Sequence, residues 1–538
     1  MKGIPRFGNT DHTGYNSCIT LDKKEDRGAG KRISWKPNPW KQLLLDNREI
    51  IKKNDSYQPP CKAVSDIRLL AEQAFSRVAG APLVPGNSVR ILKDAKENYP
   101  AWFDALASAK KNIYFENYFI RKDNIGYQFA DVLAVKAREG VKVRLIYDWL
   151  GTLGKTSHRF WRRLRDAGVE VRCFNPPRFE SPLGWLIRDH RKMIAVDSRI
   201  AFVTGLCVGS MWVGYPERSI EPWRDTGIEV RGPAVIDIEH AFADVWAAIG
   251  TPFKEEELAK RNSISPEGNA TLRVVATVPN MAGLYRLDQL IAALARHSLW
   301  LTDAYFVGIT PYIQALRSAA MDGVDVRLLV PGSNDIPILR GISRAGFKPL
   351  LEAGVRVFEW NGPMMHAKTA VADGKWARIG STNLNLSSWI GNYELDVAVE
   401  DERFAQEMEK MYLDDLKRST EIILSKRYKV RPAERMPRRS LRQRGFGGGS
   451  VSRVGAGALS IGSTVGAAIT NHRLLGPAEA RVMTIAGILG LAFTIVFLLW
   501  PRWVTIPIAI LSGWLTISFL IRAYKLRKKK REEDFHPQ

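Results

Sequence analysis

A histidine, a lysine two positions later and an aspartate five positions beyond that lysine occur twice in this chain of 538 residues, as His190, Lys192 and Asp197 and as His366, Lys368 and Asp373. Each copy places a potential nucleophile beside a fixed positive charge, the combination that phosphoryl transfer requires when no metal ion supplies the charge. The chain contains only 8 His, so two matching copies are rarely a coincidence. We therefore predict a phosphoryl-transfer site built from both copies.

The residues around the two copies repeat as well. Three segments ahead of the first copy are similar to three segments ahead of the second, namely 111–120, 137–146 and 167–172 against 298–307, 319–329 and 353–358. A repeat of this length predicts two similar subdomains whose motifs meet across a pseudo-twofold axis. The active site is accordingly expected between the two halves.

Sequence periodicity predicts an α/β structure for each half. Apolar residues recur with helical spacing over 126–139 and 310–321, each stretch closes on a glycine, and short buried runs follow. The motif segments alternate instead like strands, with turns at Asp197 and Asp373. Residues two apart on a strand share a face, so each histidine and its lysine are expected to point to one side. The two aspartates are expected to hold the turns rather than to exchange protons.

Over residues 89–425 the chain resembles the phospholipase D superfamily, and within it the bacterial cardiolipin synthases. The second motif matches the family pattern in full and continues into the rest of that pattern, at Gly380, Ser381, Asn383, Asn392 and Glu394. The first motif departs from it, because Gly205 and Cys207 stand where the family usually has glycine or serine and then asparagine. One polar contact to the phosphate is expected to be missing there. The resemblance implies duplicated α/β/α sandwich halves that form a pseudo-dimer.

The resemblance also implies a two-histidine mechanism. One imidazole attacks the phosphodiester to form a phosphohistidine, and the other protonates the departing alcohol and then deprotonates the incoming one. We prefer His190 as the nucleophile and His366 as the acid and base. Two carboxylates, Glu394 and by analogy Asp225, would orient the rings through their other nitrogens. The non-bridging oxygens of the phosphate would be held by Lys192, Lys368, Ser381 and Asn383.

No metal and no organic cofactor is expected. The 4 Cys are dispersed without metal-ligand spacing. Lys and Arg exceed Asp and Glu by 23, but most of that excess lies towards the two ends of the chain rather than in the catalytic body, which disfavours a nucleic-acid groove. Three alternatives stay open at this stage: a phospholipase D hydrolase, a nucleic-acid phosphodiesterase and a non-enzymatic membrane scaffold with relic motifs.

The C-terminal part predicts a membrane anchor. Two apolar runs at 482–500 and 504–521 are each long enough to cross a bilayer as a helix, with only three residues between them. Basic residues flank both ends of this transmembrane helical hairpin, which predicts that both ends face the cytoplasm and contact anionic lipid. The first forty residues show no secretory signal. The expected location is the bacterial inner membrane, with the catalytic domain on the cytoplasmic side.

The predicted layout begins with a polar N-terminal extension (1–88) and two catalytic halves (89–262 and 263–430). A basic glycine-rich linker (431–481), the hairpin (482–521) and a basic tail (522–538) follow. The predicted function is transfer of a phosphatidyl group to an alcohol, most simply the glycerol end of phosphatidylglycerol, which would make cardiolipin. Transfer rather than hydrolysis rests on the family resemblance, because water could also serve as the acceptor. The expected partners are phospholipids and the membrane, and the oligomeric state is left open.

Overall fold

The computed structural model of this protein describes residues 72–177, 186–335, 337–424 and 430–432, together with isolated helical positions between 488 and 521. Most of the predicted N-terminal extension, the linker, the hairpin and the tail therefore lie outside the described residues. Among the residues that are described, no helix is both long and apolar enough to cross a membrane. The transmembrane hairpin at 482–521 stays a prediction.

The first half is a mixed β-sheet with helices packed on it. Its strands are β1 (Val84–Lys93), β2 (Asn112–Asn117), β3 (Lys142–Asp148), β4 (Glu170–Phe174), β5 (Arg188–Asp189), β6 (Lys192–Val196), β7 (Ile200–Thr204) and β8 (Thr226–Arg231). Its helices are α1 (Asp94–Ser108), α2 (Asn124–Arg138), α3 (Trp149–Thr152), α4 (His158–Asp166) and α5 (Val235–Ala248). The sheet order is β1, β8, β7, β6, β2, β3, β4, in which β2, β3 and β4 run parallel to one another and the other neighbouring pairs are antiparallel.

The second half repeats this plan. Its strands are β9 (Ala270–Thr277), β10 (Ser298–Thr302), β11 (Asp325–Pro331), β12 (Arg356–Trp360), β13 (Thr369–Ala372), β14 (Trp376–Gly380), β15 (Asn392–Glu400), β16 (Ser419–Leu424) and β17 (Val430–Pro432). Its helices are α6 (Gly283–Leu294), α7 (Thr310–Met321), α8 (Pro337–Glu352) and α9 (Glu402–Leu416). The order β9, β15, β14, β13, β10, β11, β12 matches that of the first half, and β16 and β17 extend it. The predicted α/β class and the duplication are confirmed.

Local sequence signals explain the bounds of the predicted helices. Asp123 caps α2, because its Oδ1 accepts a hydrogen bond from the backbone N–H of Gly126 at 3.0 Å. The helix predicted over 310–321 coincides with α7. Gly140 and Gly323 follow α2 and α7 with φ of 89° and 95°, a conformation that side chains with a Cβ rarely adopt. These caps return the chain to β3 and β11, which are interior strands of the two sheets.

One buried hydrophobic cluster contains residues of both halves. Helices α5 and α9 follow the equivalent strands β8 and β15. The apolar residues of both helices pack with strands of both sheets in a single buried cluster. Strand β1 also pairs antiparallel with β9, through Val84 and Leu272. Strand β1 begins ahead of residue 89, where the first half was predicted to start. A shared core of this kind fixes the two motif segments relative to each other.

Candidate active site

Each motif histidine lies where one half of the chain meets the other. The backbone N–H of His190, just after β5, donates to the carbonyl oxygen of Tyr393 in β15 at 2.9 Å. The N–H of His366, just before β13, donates to the carbonyl oxygen of Arg224 at 2.7 Å. Tyr393 and Arg224 each come one residue before a predicted carboxylate. The two motifs therefore make equivalent contacts with opposite halves, as a pseudo-twofold axis requires.

The histidine–carboxylate pairs cross between the halves. Nδ1 of His190 lies 2.9 Å from Oε2 of Glu394, and Nδ1 of His366 lies 2.7 Å from Oδ2 of Asp225. Both carboxylate side chains are fully buried, whereas the two histidine side chains are 12% and 4% exposed. Because Nδ1 of each ring faces its carboxylate, Nε2 is the atom turned towards a substrate. The structure brings together the four groups that the sequence assigned to proton transfer and ring orientation.

Glu394 is held by two residues of its own half. The hydroxyl of Ser381 donates to Oε2 at 2.6 Å, and the amide Nδ2 of Asn392 donates to Oε1 at 3.1 Å. The sequence interpretation placed Ser381 on the phosphate oxygens, but the structure has its hydroxyl on the carboxylate. Ser381 also accepts the backbone N–H of Leu395 at 2.9 Å. Ser381 and Asn392 thus fix the group that orients His190.

Asp225 is held differently. The indole N–H of Trp212 donates to its Oδ2 at 3.0 Å, and the backbone N–H of Thr226 donates to Oδ1 at 2.9 Å. A Cβ on Gly205 would lie 2.1 Å from Oδ1, so only glycine allows this carboxylate to sit where it does. Burial raises the pKa of Asp225. The contacts with His366 and Lys368 and the N–H of Thr226 outweigh burial, so the pKa lies below the ordinary value. Asp225 is therefore a carboxylate at neutral pH.

His366 is an imidazole of low proton affinity in this site. Burial, followed by the charge of Lys368, lowers the pKa of His366 to about 3, and Asp225 only partly compensates. Nζ of Lys368 lies 3.2 Å from Nε2 of the same ring. The ring is consequently neutral around pH 7 as long as the lysine charge beside it is not offset by an anion.

The two motif lysines are buried beside their histidines. Lys192 and Lys368 are 0% and 1% exposed, and each Nζ donates to the carbonyl oxygen of its own motif histidine. Burial lowers the pKa of both, in the case of Lys368 to about 8. Burial raises the pKa of the nearby Cys207 thiol, and the charges of Lys192 and Lys368 only partly offset this rise. Two desolvated cations in one site are a strong attraction for a phosphate anion.

Cys207 and Asn383 occupy matching positions after the two motifs. Cys207 is 1% exposed, lies close enough to interact with both lysines, and accepts the hydroxyl of Tyr99 on its carbonyl oxygen at 2.8 Å. Asn383 is 4% exposed, and its Oδ1 has no hydrogen-bond partner among the described residues. An orphaned buried acceptor of this kind is expected where a donor of the ligand, such as an alcohol hydroxyl, completes the hydrogen bonding.

Asp197 and Asp373 lie away from the imidazoles. They follow β6 and β13 at the far end from the lysines, with φ of 54° and 52°. Each accepts three backbone N–H groups from the segment that opens the neighbouring strand, at 2.7 to 2.9 Å, donated by Lys110, Lys111 and Asn112 and by Arg296, His297 and Ser298. This geometry fits the turn-holding role that the sequence indicated and leaves neither carboxylate within reach of a substrate at the histidines.

Comparison with known proteins points to the family that the sequence resembles. The sequence profile described as "Cardiolipin synthase, PLD-like domain" matches residues 103–242 and 288–416, which include both motifs. The cardiolipin synthase of Alkalihalophilus pseudofirmus is 33% identical over 357 residues, or 65% of this chain and 70% of that protein. Cardiolipin synthase A of Pseudomonas fluorescens is 31% identical over 428 residues, or 77% of this chain and 83% of that protein.

The chain belongs to the cardiolipin synthase family of the phospholipase D superfamily. A solved structure with a similar fold is the phosphatidylserine synthase of Haemophilus influenzae, at a TM-score of 0.51 and 14% identity, covering 65% of this chain and 91% of that one. At this identity the likeness concerns the fold alone. Family membership makes this protein an enzyme of the phospholipase D type.

Aromatic rings enclose the two family histidines unequally, which sequence reasoning missed. The ring of Tyr118 lies 5.0 Å from that of His190. Three rings surround His366 instead, at 5.5, 5.7 and 5.9 Å between centroids, those of Trp212, Trp223 and Tyr305. The signal that could have found Tyr118 and Tyr305 was their place just after β2 and β10, since ligand sites of α/β proteins gather at the carboxyl ends of parallel strands.

Two further buried acids lie on the His190 side. Glu116, in β2, and Asp189, next to His190, are both fully buried. Burial and the nearby charge of Asp189 raise the pKa of Glu116 well above its ordinary value, and burial raises that of Asp189 to about 7. In the part of the chain that the structure describes, these acids do not join others to form a group of three or more metal-ligating side chains.

Proposed function

We propose that this protein is a phosphatidyltransferase that moves a phosphatidyl group through a phosphohistidine to the alcohol of a second phospholipid. The simplest reaction uses two molecules of phosphatidylglycerol and yields cardiolipin and glycerol. The observation that supports it best is the crossed pairing of His190 with Glu394 and of His366 with Asp225. Two imidazoles, each held through Nδ1 by an acid of the opposite half, suit one phosphorus bound between the halves.

In the first step, Nε2 of His190 attacks the phosphorus of the donor lipid. The new N–P bond replaces the P–O bond to the departing glycerol, whose oxygen takes a proton from His366. Glu394 holds the proton on Nδ1 of His190 and balances the charge that the ring acquires. Lys192 and Lys368 oppose the charge on the non-bridging oxygens, and the amide of Asn383 donates to them.

In the second step, the terminal hydroxyl of the acceptor lipid replaces the departed glycerol. His366, now neutral, removes the hydroxyl proton while the oxygen attacks phosphorus and the N–P bond breaks. His190 returns to its starting state and His366 regains its proton. Atoms and charges balance without a metal or an oxidant.

The low pKa of His366 is compatible with its role as an acid. The value of about 3 belongs to a site in which Lys368 acts on the ring. A bound phosphodiester anion offsets the charges of Lys192 and Lys368 and so raises the proton affinity of the ring. His366 would then take up its proton as the substrate binds. The more exposed His190, at 12%, is the nucleophile in this scheme.

Membrane attachment remains part of the proposal. The apolar runs at 482–500 and 504–521 with their basic flanks favour a hairpin anchor in the bacterial inner membrane and a catalytic body on the cytoplasmic side. The anchor would hold the site beside its lipid substrates. Membrane lipid is accordingly the expected partner, and nucleic acid is not.

The test uses purified full-length protein and labelled phosphatidylglycerol in detergent or vesicles. Cardiolipin and glycerol in equal amounts are the expected products. Phosphatidic acid in place of cardiolipin would make the protein a hydrolase, and absence of both products would overturn the proposal. His190→Ala and His366→Ala should each abolish formation of cardiolipin. His158→Ala is the matched control, because His158 is an exposed residue at the start of α4.

A further inference from the structure

Four large apolar side chains are exposed on one side of the site. Leu186, Ile187, Met281 and Ile390 are 54%, 37%, 56% and 38% exposed. We call this set the apolar lip. Single exposed apolar residues are ordinary on a protein surface, but a contiguous group beside a ligand site marks a contact surface.

The backbone places the members of the apolar lip next to one another. Asn392 pairs in parallel with Arg188 between β15 and β5, so the residues that precede these two strands, including Ile390 and Ile187, lie side by side. The backbone N–H of Asn280 donates to the carbonyl oxygen of Ile390 at 2.9 Å, which brings Met281 to the same place. The apolar lip is thus assembled from three segments of the chain.

The apolar lip borders the His190 side of the site. Leu186 and Ile187 lead directly into β5 and His190, and Ile390 leads into the strand that carries Glu394. His190 is also the more exposed of the two histidines, at 12% against 4% for His366. A lipid that reaches the phosphate site from this side passes over the apolar lip.

The equivalent positions on the opposite side carry no large apolar side chain. Gly362 and Pro363 precede His366 as Leu186 and Ile187 precede His190, and Glu221 precedes Asp225 as Ile390 precedes Glu394. The first large apolar residue ahead of His366, Met364, is buried and packs with Tyr305 and Trp223. The pseudo-twofold symmetry of the site is therefore broken at its entrance, because only the His190 side exposes large apolar side chains at these positions.

We infer that the apolar lip is the surface on which the acyl region of a phospholipid bilayer rests, so that lipid substrates enter from the His190 side. This inference rests on the proposed function. The phosphate of a phospholipid is joined to its acyl chains by a single glycerol unit, so acyl chains must leave the site close to a phosphate held at His190. The His190 side offers apolar surface for them, and burial of that surface against acyl chains is favourable.

Charge at the edge of the apolar lip suits an anionic bilayer. Arg286 is exposed in the first turn of α6, shortly after Met281. A cation beside an apolar surface is the arrangement by which peripheral segments bind membranes with negatively charged headgroups. A second copy of this chain, which would present the same cation, is less well matched to this edge.

The experiment compares two substrates with the full-length protein. One is long-chain phosphatidylglycerol in vesicles, and the other is short-chain phosphatidylglycerol below its critical micelle concentration. We expect Met281→Asp and Ile390→Asp each to lower the ratio of vesicle turnover to short-chain turnover about tenfold or more, because an apolar side chain would be replaced by a charge at the bilayer. Met321→Asp is the control, since Met321 is 71% exposed on α7 and lies outside the apolar lip.

Several results would overturn the inference. An unchanged ratio in both variants would show that the apolar lip does not meet the bilayer, and an equal loss on both substrates would show a structural role. A smaller sedimenting species in the variants than in the wild type would show that a second copy covers the surface. Failure of the proposed function is separate, because the wild type would then form no cardiolipin from either substrate.

Discussion

Nδ1 of His366 lies 2.7 Å from Oδ2 of Asp225, a carboxylate supplied by the other half of the molecule. The pair Glu394 and His190 makes the same contact in the opposite direction. Each motif ring therefore depends on both halves, and neither of these two pairs is formed within a single half. In the proposed mechanism, the duplicated fold places these two pairs around one phosphate.

The first prediction concerns these carboxylates. Asp225→Asn should lower kcat by about 10²- to 10⁴-fold, because an amide cannot balance an imidazolium and favours the wrong ring tautomer. Steady-state kinetics of cardiolipin formation would measure the loss. Asp244→Asn, an exposed change on α5, serves as control. If Asp225→Asn kept wild-type kcat, the orienting role of this carboxylate would be wrong.

The second prediction is a basic limb in the pH profile of kcat/KM. Burial lowers the pKa of Lys368 to about 8, so this lysine loses its proton at a lower pH than an ordinary lysine. Activity should fall as the pH rises through about 8, because the neutral amine no longer opposes the charge on the phosphate. Lys368→Arg should move this limb to higher pH, since a guanidinium stays charged. A limb that stayed in place in the arginine variant would assign it to another group.

Several features of this site could be predicted from sequence, for physical reasons. The two histidine–lysine pairs and the turn aspartates are local patterns, and strand alternation fixes which of their side chains share a face. The glycine caps at Gly140 and Gly323 are likewise set by the backbone at one position. Such features depend on a few neighbouring residues and need no knowledge of tertiary packing.

Other features depend on contacts between distant segments. The hydroxyl of Ser381 could have faced either the phosphate or Glu394, and only the approach of β14 to β15 decides for the carboxylate. The donation from Trp212 to Asp225 depends on a short turn after β7 for which the sequence gives no signal. Which histidine pairs with which acid follows from how the halves dock, and side-chain spacing does not contain that information.

The third prediction separates stability from chemistry at Asp373. Asp373→Asn should cost about 1–2 kcal/mol of unfolding free energy, because the amide has one oxygen to accept the three backbone N–H groups that the carboxylate accepts. Backbone hydrogen bonds lower the pKa of Asp373 despite its partial burial. The stability difference should therefore shrink as the pH falls below 3.8, the ordinary aspartate value.

Denaturant titration of the unfolding of the catalytic body would measure this difference in unfolding free energy. The kcat per folded molecule should stay within about threefold of wild type. Asp322→Asn in the turn after α7 provides the control. A large loss of kcat at unchanged stability would give Asp373 a part in the chemistry.

The fourth prediction concerns the departure from the family at Cys207. Cys207→Asn should keep or raise kcat/KM, because the new amide matches Asn383 on the other side of the site and can donate to a phosphate oxygen beside Lys192 and Lys368. Parallel kinetics with Cys173→Asn, a change at a partly buried cysteine outside the site, control for the loss of a thiol. Collapse of activity in the first variant alone would reveal a function of the Cys207 thiol.

The central claim is that His190 carries the phosphatidyl group while His366 handles the proton. Its most direct test is mass spectrometry of the His366→Ala variant after reaction with a phosphatidyl ester of p-nitrophenol, a leaving group that needs no acid to depart. The account predicts a stoichiometric release of p-nitrophenol and a phosphatidyl adduct on His190, which the His190→Ala variant lacks. Release of p-nitrophenol with the adduct on another residue, or with no adduct at all, would contradict the account.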